Sequence, residues 1–104
     1  MYEVEFTMEP KVRVASQADF THSIAYIVNR IELNENRWDG EVQLRLVNDE
    51  EEGTIVSCPE FTAENDEQAK GYAVTWLRTT LGGLLGCAPD EVIFENLTWT
   101  RTRI

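Results

Sequence analysis

The chain has 104 residues, 42% of them hydrophobic and 27% charged, with 19 acidic against 9 basic side chains and a formal net charge of −10. That length suits one hydrophobic core over residues 1–104 and leaves no room for a second, and the charge repels nucleic acid and anionic membrane over most of the surface. The apolar runs are short, so neither a transmembrane helix nor a signal peptide is expected, and the expected compartment is the cytoplasm of the cell that makes or hosts the protein.

From Tyr2 to Val14 the even positions read Tyr, Val, Phe, Met, Pro, Val, Val and the odd ones Glu, Glu, Thr, Glu, Lys, Arg. A two-residue period predicts a strand with one buried face. Fully extended it would span ~43 Å at ~3.3 Å per residue, more than a domain of this size needs. It is therefore expected to bend at Pro10, which cannot donate a ladder hydrogen bond, or to turn as a hairpin over 9–12. Ser16 then offers an N-cap, and Phe20, Ile24, Ile27, Val28 and Ile31 recur at helical spacing, which predicts a helix over about 17–32. Asp39-Gly40 supplies a turn before Val42, Leu44 and Leu46 alternate with Glu41, Gln43 and Arg45 as a second strand. A polar connection over 48–53 leads to a β-rich third strand over 54–61, so these two form a hairpin. Asn65 and Gln68 have the form of a capping box, with Asp66 and Glu67 in the first turn. Ala69, Ala73, Trp76, Leu77, Thr80 and Leu84 carry a helical stripe that Gly82-Gly83 ends. The β-branched and aromatic composition of residues 91–104 predicts a last strand.

This order is that of an α+β, ferredoxin-like βαββαβ fold: a four-stranded antiparallel sheet with two helices on one face and the last strand beside the first. If residue numbers across that last pairing sum to 106, Glu3 faces Arg103, Glu5 faces Arg101 and Lys11 faces Glu95, while Val12 meets Phe94 and Val14 meets Val92 on the other face. The face away from the helices then shows Ile93, Leu97 and Trp99, a partner or dimer face. A bulge at Glu95-Asn96 is the alternative, and it turns Leu97 and Trp99 into the core.

Carboxylates gather at the predicted ends of the sheet. Asp49, Glu50, Glu51 and Glu52 in the hairpin loop, with Asp90 and Glu91 before the last strand, form a negative rim. Glu60, Glu64, Asp66 and Glu67 mark the opposite end, with Glu35 and Asp39 nearby. Such runs are ordinarily solvated loops, and Asp66 and Glu67 are accounted for by capping; a rim facing a basic partner would act on association rate and partner choice.

Chemistry finds little purchase. Cys58 and Cys87 read as free thiols in or near the core. His22 stands alone and is placed on the first helix away from its apolar stripe, and Ser57 and Cys58 lie within a strand with no base nearby. The 82–86 segment follows a helix instead of opening one, so it cannot cradle phosphate. The 49–52 loop lacks the ligand spacing and central glycine of an EF-hand. No catalytic constellation, metal or cofactor is predicted.

The first functional reading is a non-enzymatic acidic module that occupies a basic, nucleic-acid-binding surface of a larger protein, with no direct contact to nucleic acid or membrane. In size, charge and compactness the chain is similar to phage-encoded anti-defence proteins such as anti-CRISPRs and to acidic nuclease-immunity proteins, and that resemblance implies a DNA-mimicking inhibitor. A second reading is a homo-oligomeric assembly protein that uses the open sheet. A third is a small-ligand regulatory domain or a cavity enzyme of the stacked-sheet dimer type.

Overall fold

Val4, Phe6 and Met8 are buried while Glu5 and Thr7 between them are not, so the two-residue period at the amino terminus does produce a strand with one covered face. The computed structural model describes residues 2–32, 36–48 and 53–103. Among them the sheet has seven strands: β1 (Tyr2–Met8), β2 (Lys11–Val14), β3 (His22–Glu32), β4 (Asn36–Leu46), β5 (Thr54–Thr62), β6 (Val92–Phe94) and β7 (Thr100–Arg103). Every pairing is antiparallel. The order across the sheet is β5-β4-β3-β1-β7, with β2 prolonging β1 beside β3, and β6 pairing with β2. A single helix, α1 (Asp66–Leu85), carries the chain from the β5 edge back to the β6 edge.

The ferredoxin-like expectation is thus wrong: this is a seven-stranded antiparallel sheet with one helix, not four strands with two. The error lies in residues 17–32. Ile24, Tyr26 and Val28 are buried and Ile27 is exposed, which is a two-residue period rather than a helical one. Four β-branched residues and a tyrosine within eleven residues also lose side-chain freedom in a helix and pack well on a pleated surface. Ser16 caps nothing, because residues 15–21 are a connection whose carbonyls are held by Arg13, at 2.7 Å from Gln17 and 3.3 Å from Ala15.

Pro10 interrupts the first strand without changing its alignment. Met8 faces Tyr26 and Lys11 faces Ser23, so both halves keep one register on β3, and Pro10 still accepts a bond from the Ile24 N–H at 3.0 Å. Neither a bulge nor a hairpin is needed. The last strand behaves differently. Val12 faces Phe94 and Val14 faces Val92, the register summing to 106, but Phe6 faces Arg101 and Glu5 faces Thr102, one residue later. The extra residue is taken up between Phe94 and Thr100. Lys11 still meets Glu95, through a 3.0 Å backbone bond, whereas the expected Glu5–Arg101 pair does not form, nor does Arg103 stand opposite Glu3.

The predicted 42–46 and 54–61 hairpin is present but longer, since β4 begins at Asn36 and runs straight through Asp39-Gly40. Gly40 is not a turn residue. A Cβ there would stand 2.7 Å from the Ile27 carbonyl and 3.4 Å from the Tyr26 ring, so the missing side chain is what lets Tyr26 lie across the neighbouring strand.

Helix α1 is capped as its sequence implies: the Asn65 side chain accepts from the Gln68 N–H at 2.8 Å, and the Gln68 side chain accepts from the Glu64 N–H at 2.7 Å. It does not stop at Gly82-Gly83. It ends at Gly86, whose φ of 74° suits glycine. Gly82 is buried because the chain folds back against it, a Cβ there lying 2.8 Å from the Cys87 carbonyl. Ala69, Ala73, Leu77 and Leu81 are the buried side of the helix and share one core with Phe6, Tyr26 and Trp38, against which Trp76 and Trp99 pack. Among the described residues the sheet's other face has no helix over it.

Candidate functional site

The two ends of the sheet treat their carboxylates differently. At the end where α1 begins, Asp66 is held by Arg30 at 3.3 Å and by Arg101 at 3.6 Å, Glu67 by Lys70 at 3.5 Å, and Glu60 by Arg37 at 3.7 Å. Arg101 reaches Asp66 because the late register shift turns it toward the helix. Arg30 also donates to Asn36 at 2.8 Å and lies 5.4 Å from the Trp38 ring centre. A shallow groove of about 410 Å³ is lined by Arg30, Glu64, Asn65, Asp66 and Glu67. Across it Arg30 and Asp66 pair and clamp helix to sheet, while Glu64 is exposed without an ion pair among the described residues.

At the opposite end Pro89–Glu91 forms a single 3-10 turn. It is held by a 2.7 Å bond from the Ala15 N–H to the Glu91 carbonyl, and the Glu91 carboxylate accepts from the Ala88 N–H at 3.4 Å. Asp90 and Glu91 are exposed, and neither has an ion pair among the described residues. Beside them the Cys87 thiol is pushed above its ordinary pKa, by burial first and then by Glu91 and Asp90. Asp49, Glu50, Glu51 and Glu52 lie outside the described residues. β4 ends at Leu46, which stands in one row across the sheet with His22, Val12 and Phe94.

The residues expected on the uncovered face separate. Ile93 faces Arg13 on that side and is half-buried. Leu97, in the segment between β6 and β7, is 37% exposed. Trp99 is half-buried on the helix side, with its ring centre 5.9 Å from Tyr26 and 6.4 Å from Phe6. The extra residue before Thr100 accounts for its inward turn.

His22 opens β3 instead of standing on a helix, and its Nδ1 is 2.9 Å from the Thr21 hydroxyl. Ser57 is exposed on β5, while Cys58 is buried and donates to the Pro59 carbonyl at 3.4 Å. No base lies within the hydrogen bonds of either. Among the described residues no three His, Cys, Asp or Glu side chains are grouped so as to hold a metal ion, and no helix is long and apolar enough to cross a membrane.

Sequence reasoning set Glu5 and Lys11 on the uncovered face but paired them with the last strand, and it missed the rows they form with Asp39 and Arg45. Their alignment is visible only once residues 22–32 are a strand, and the signal was the alternation of Ile24, Tyr26 and Val28 that the helical spacing masked. Compared with known protein families, curated proteins and solved structures, the chain matches none.

Proposed function

We propose that this chain is a non-enzymatic protein-binding module that sets its acidic end against a basic, nucleic-acid-binding surface of a larger protein, in the cytoplasm of the cell that makes or hosts it. The observation that carries this reading is the contrast between the two ends. At the α1 end Asp66, Glu67 and Glu60 are paired with arginines and a lysine and Glu64 alone is exposed without an ion pair, whereas Asp90 and Glu91 are both exposed and without an ion pair among the described residues. The turn holding them is anchored to β2, so their placement costs little ordering on binding. The net charge of −10 adds long-range attraction to a cationic partner.

The test is capture from a host lysate with the purified protein as bait, at low and high salt and in competition with duplex DNA. The captured protein is expected to be a nucleic-acid binder, released by salt and displaced by DNA, and to be lost when Asp90, Glu91 and Asp49–Glu52 are changed to Asn and Gln. Capture that survives those substitutions, or that DNA leaves untouched, overturns the reading.

A further inference from the structure

We infer that the uncovered face of the sheet is where two copies of this chain stack, related by a two-fold axis that runs across the strands beneath the row of Met8, Tyr26 and Val42. The inference is independent of the acidic end, which it leaves open to solvent.

The face has a polarity along the strands. In one row stand Glu5, Asn29 and Asp39; in another, six residues further along β1 and β2, stand Lys11, Ser23 and Arg45. Glu5 and Lys11 lie three residues to either side of Met8, and Asp39 and Arg45 three residues to either side of Val42. Between these charged rows the face mixes apolar and polar side chains: Ile27, 37% exposed, stands beside exposed Glu41, Ala25 and Ile55, 46% exposed, flank Gln43, and exposed Glu9 lies between Met8 and Lys11. Glu5, Asp39, Lys11 and Arg45 have no ion pair among the described residues.

A two-fold axis across the strands reverses strand direction and keeps each strand over its own copy. Glu5 then meets Lys11 of the second copy, Asp39 meets Arg45 of the second copy, and symmetry repeats both pairs. Ile27 falls on Ala25 and Ile55 on Ser57, and Glu41 falls on Gln43, whose side-chain amide can donate to it. An axis along the strands would set like charge on like, which selects against it. Stacked sheets lie ~10 Å apart and cross at ~30°, so a residue ~10 Å from the axis moves ~5 Å sideways, within reach of a Lys or Arg side chain. Five strand positions ~4.8 Å apart by seven residues of ~3.3 Å give a footprint of roughly 550 Å² per copy, so the pair clears the ~1,000 Å² that separates specific interfaces from casual contacts.

Light scattering on the eluting protein tests this at about 100 µM chain, well above the dissociation constant of a modest dimer. The expected mass is twice the 11.9 kDa of the chain, falling toward one copy as salt rises. Lys11→Glu with Arg45→Glu is expected to give a folded monomer, and so is Glu5→Lys with Asp39→Lys. Because all four contacts become complementary again between these two variants, their equimolar mixture is expected to recover the doubled mass. That recovery requires both to be folded, so a variant that fails to fold cannot imitate it. A monomeric wild type overturns the inference. So does a dimer that both variants retain alone, or two folded monomeric variants whose mixture stays monomeric.

Discussion

Replacing Tyr26 with Phe removes one oxygen atom from the centre of the protein. Tyr26 is fully buried, and its hydroxyl makes no well-formed hydrogen bond among the described residues; the Cys58 thiol beside it is a weak partner that itself donates to Pro59. A buried hydroxyl without a well-formed bond costs ~1–3 kcal/mol, whereas the ring contacts that Phe would keep, 5.9 Å to both Trp76 and Trp99, are unaffected. Tyr26→Phe is therefore expected to be neutral or stabilising by up to ~2 kcal/mol, with each kcal/mol raising the melting temperature by ~4–8 °C in a domain of this size. Urea unfolding followed by tryptophan fluorescence measures it, and a loss above ~1 kcal/mol would refute the reasoning. Alkaline pH supplies a second arm. Burial first, then the neighbouring Cys58, pushes the Tyr26 phenol above its ordinary value of 10.0. Above that pH the unfolded chain releases this proton and the folded one holds it, so wild-type stability falls as pH rises, by up to ~1.4 kcal/mol per unit from this group. The Phe variant lacks that component, and its advantage should widen above pH ~10. Parallel stability curves would contradict the assignment.

Gly40→Val is expected to cost ~2 kcal/mol or more, because its Cβ would press on the Ile27 carbonyl and the Tyr26 ring; urea unfolding at wild-type stability would count against that close approach. Asn65→Ala should cost ~1 kcal/mol through loss of the bond to the Gln68 N–H, read in the same assay. Asp66→Asn should lower stability by ~1 kcal/mol at low salt and by less at high salt, since partly exposed Asp66 is shared by Arg30 and Arg101; a salt-independent loss would mean that helix capping, not ion pairing, is its role. Disulfide reagents at pH 8 should modify half-buried Cys87 before buried Cys58, and Asp90→Asn with Glu91→Gln should speed Cys87 by lowering its thiol pKa; the reverse order would contradict the burial of Cys58.

Where local signals agreed with one another, the chain could be read. The Asn65 cap, the acidic first turn and the stripe from Ala69 all point to the same helix, and the alternation from Tyr2 and again from Val42 points to strands. Residues 22–32 satisfied two periods at once. Ile24, Ile27, Val28 and Ile31 fit a helical face as numbers, while Ile24, Tyr26 and Val28 fit a strand, and only pairing with β1 on one side and β4 on the other decided between them. The glycines misled for a related reason. Gly40 and Gly82 answer to atoms distant in sequence, the Tyr26 ring and the Cys87 carbonyl, so a local reading took both as places where an element turns or stops. The run of Asp and Glu gave no sign of which carboxylates were matched, because that depended on Arg30 and Arg101 being brought to Asp66 from two separate strands.

Both outer strands of the sheet are interrupted. On one side Pro59 sits where β5 takes an extra residue opposite Trp38 and Gly40, and on the other the ladder lapses between Phe94 and Thr100. A growing fibril needs a long run of unpaired N–H and C=O groups to template the next chain, and neither border offers one. Among the described residues both borders thus disfavour sideways pairing with another chain.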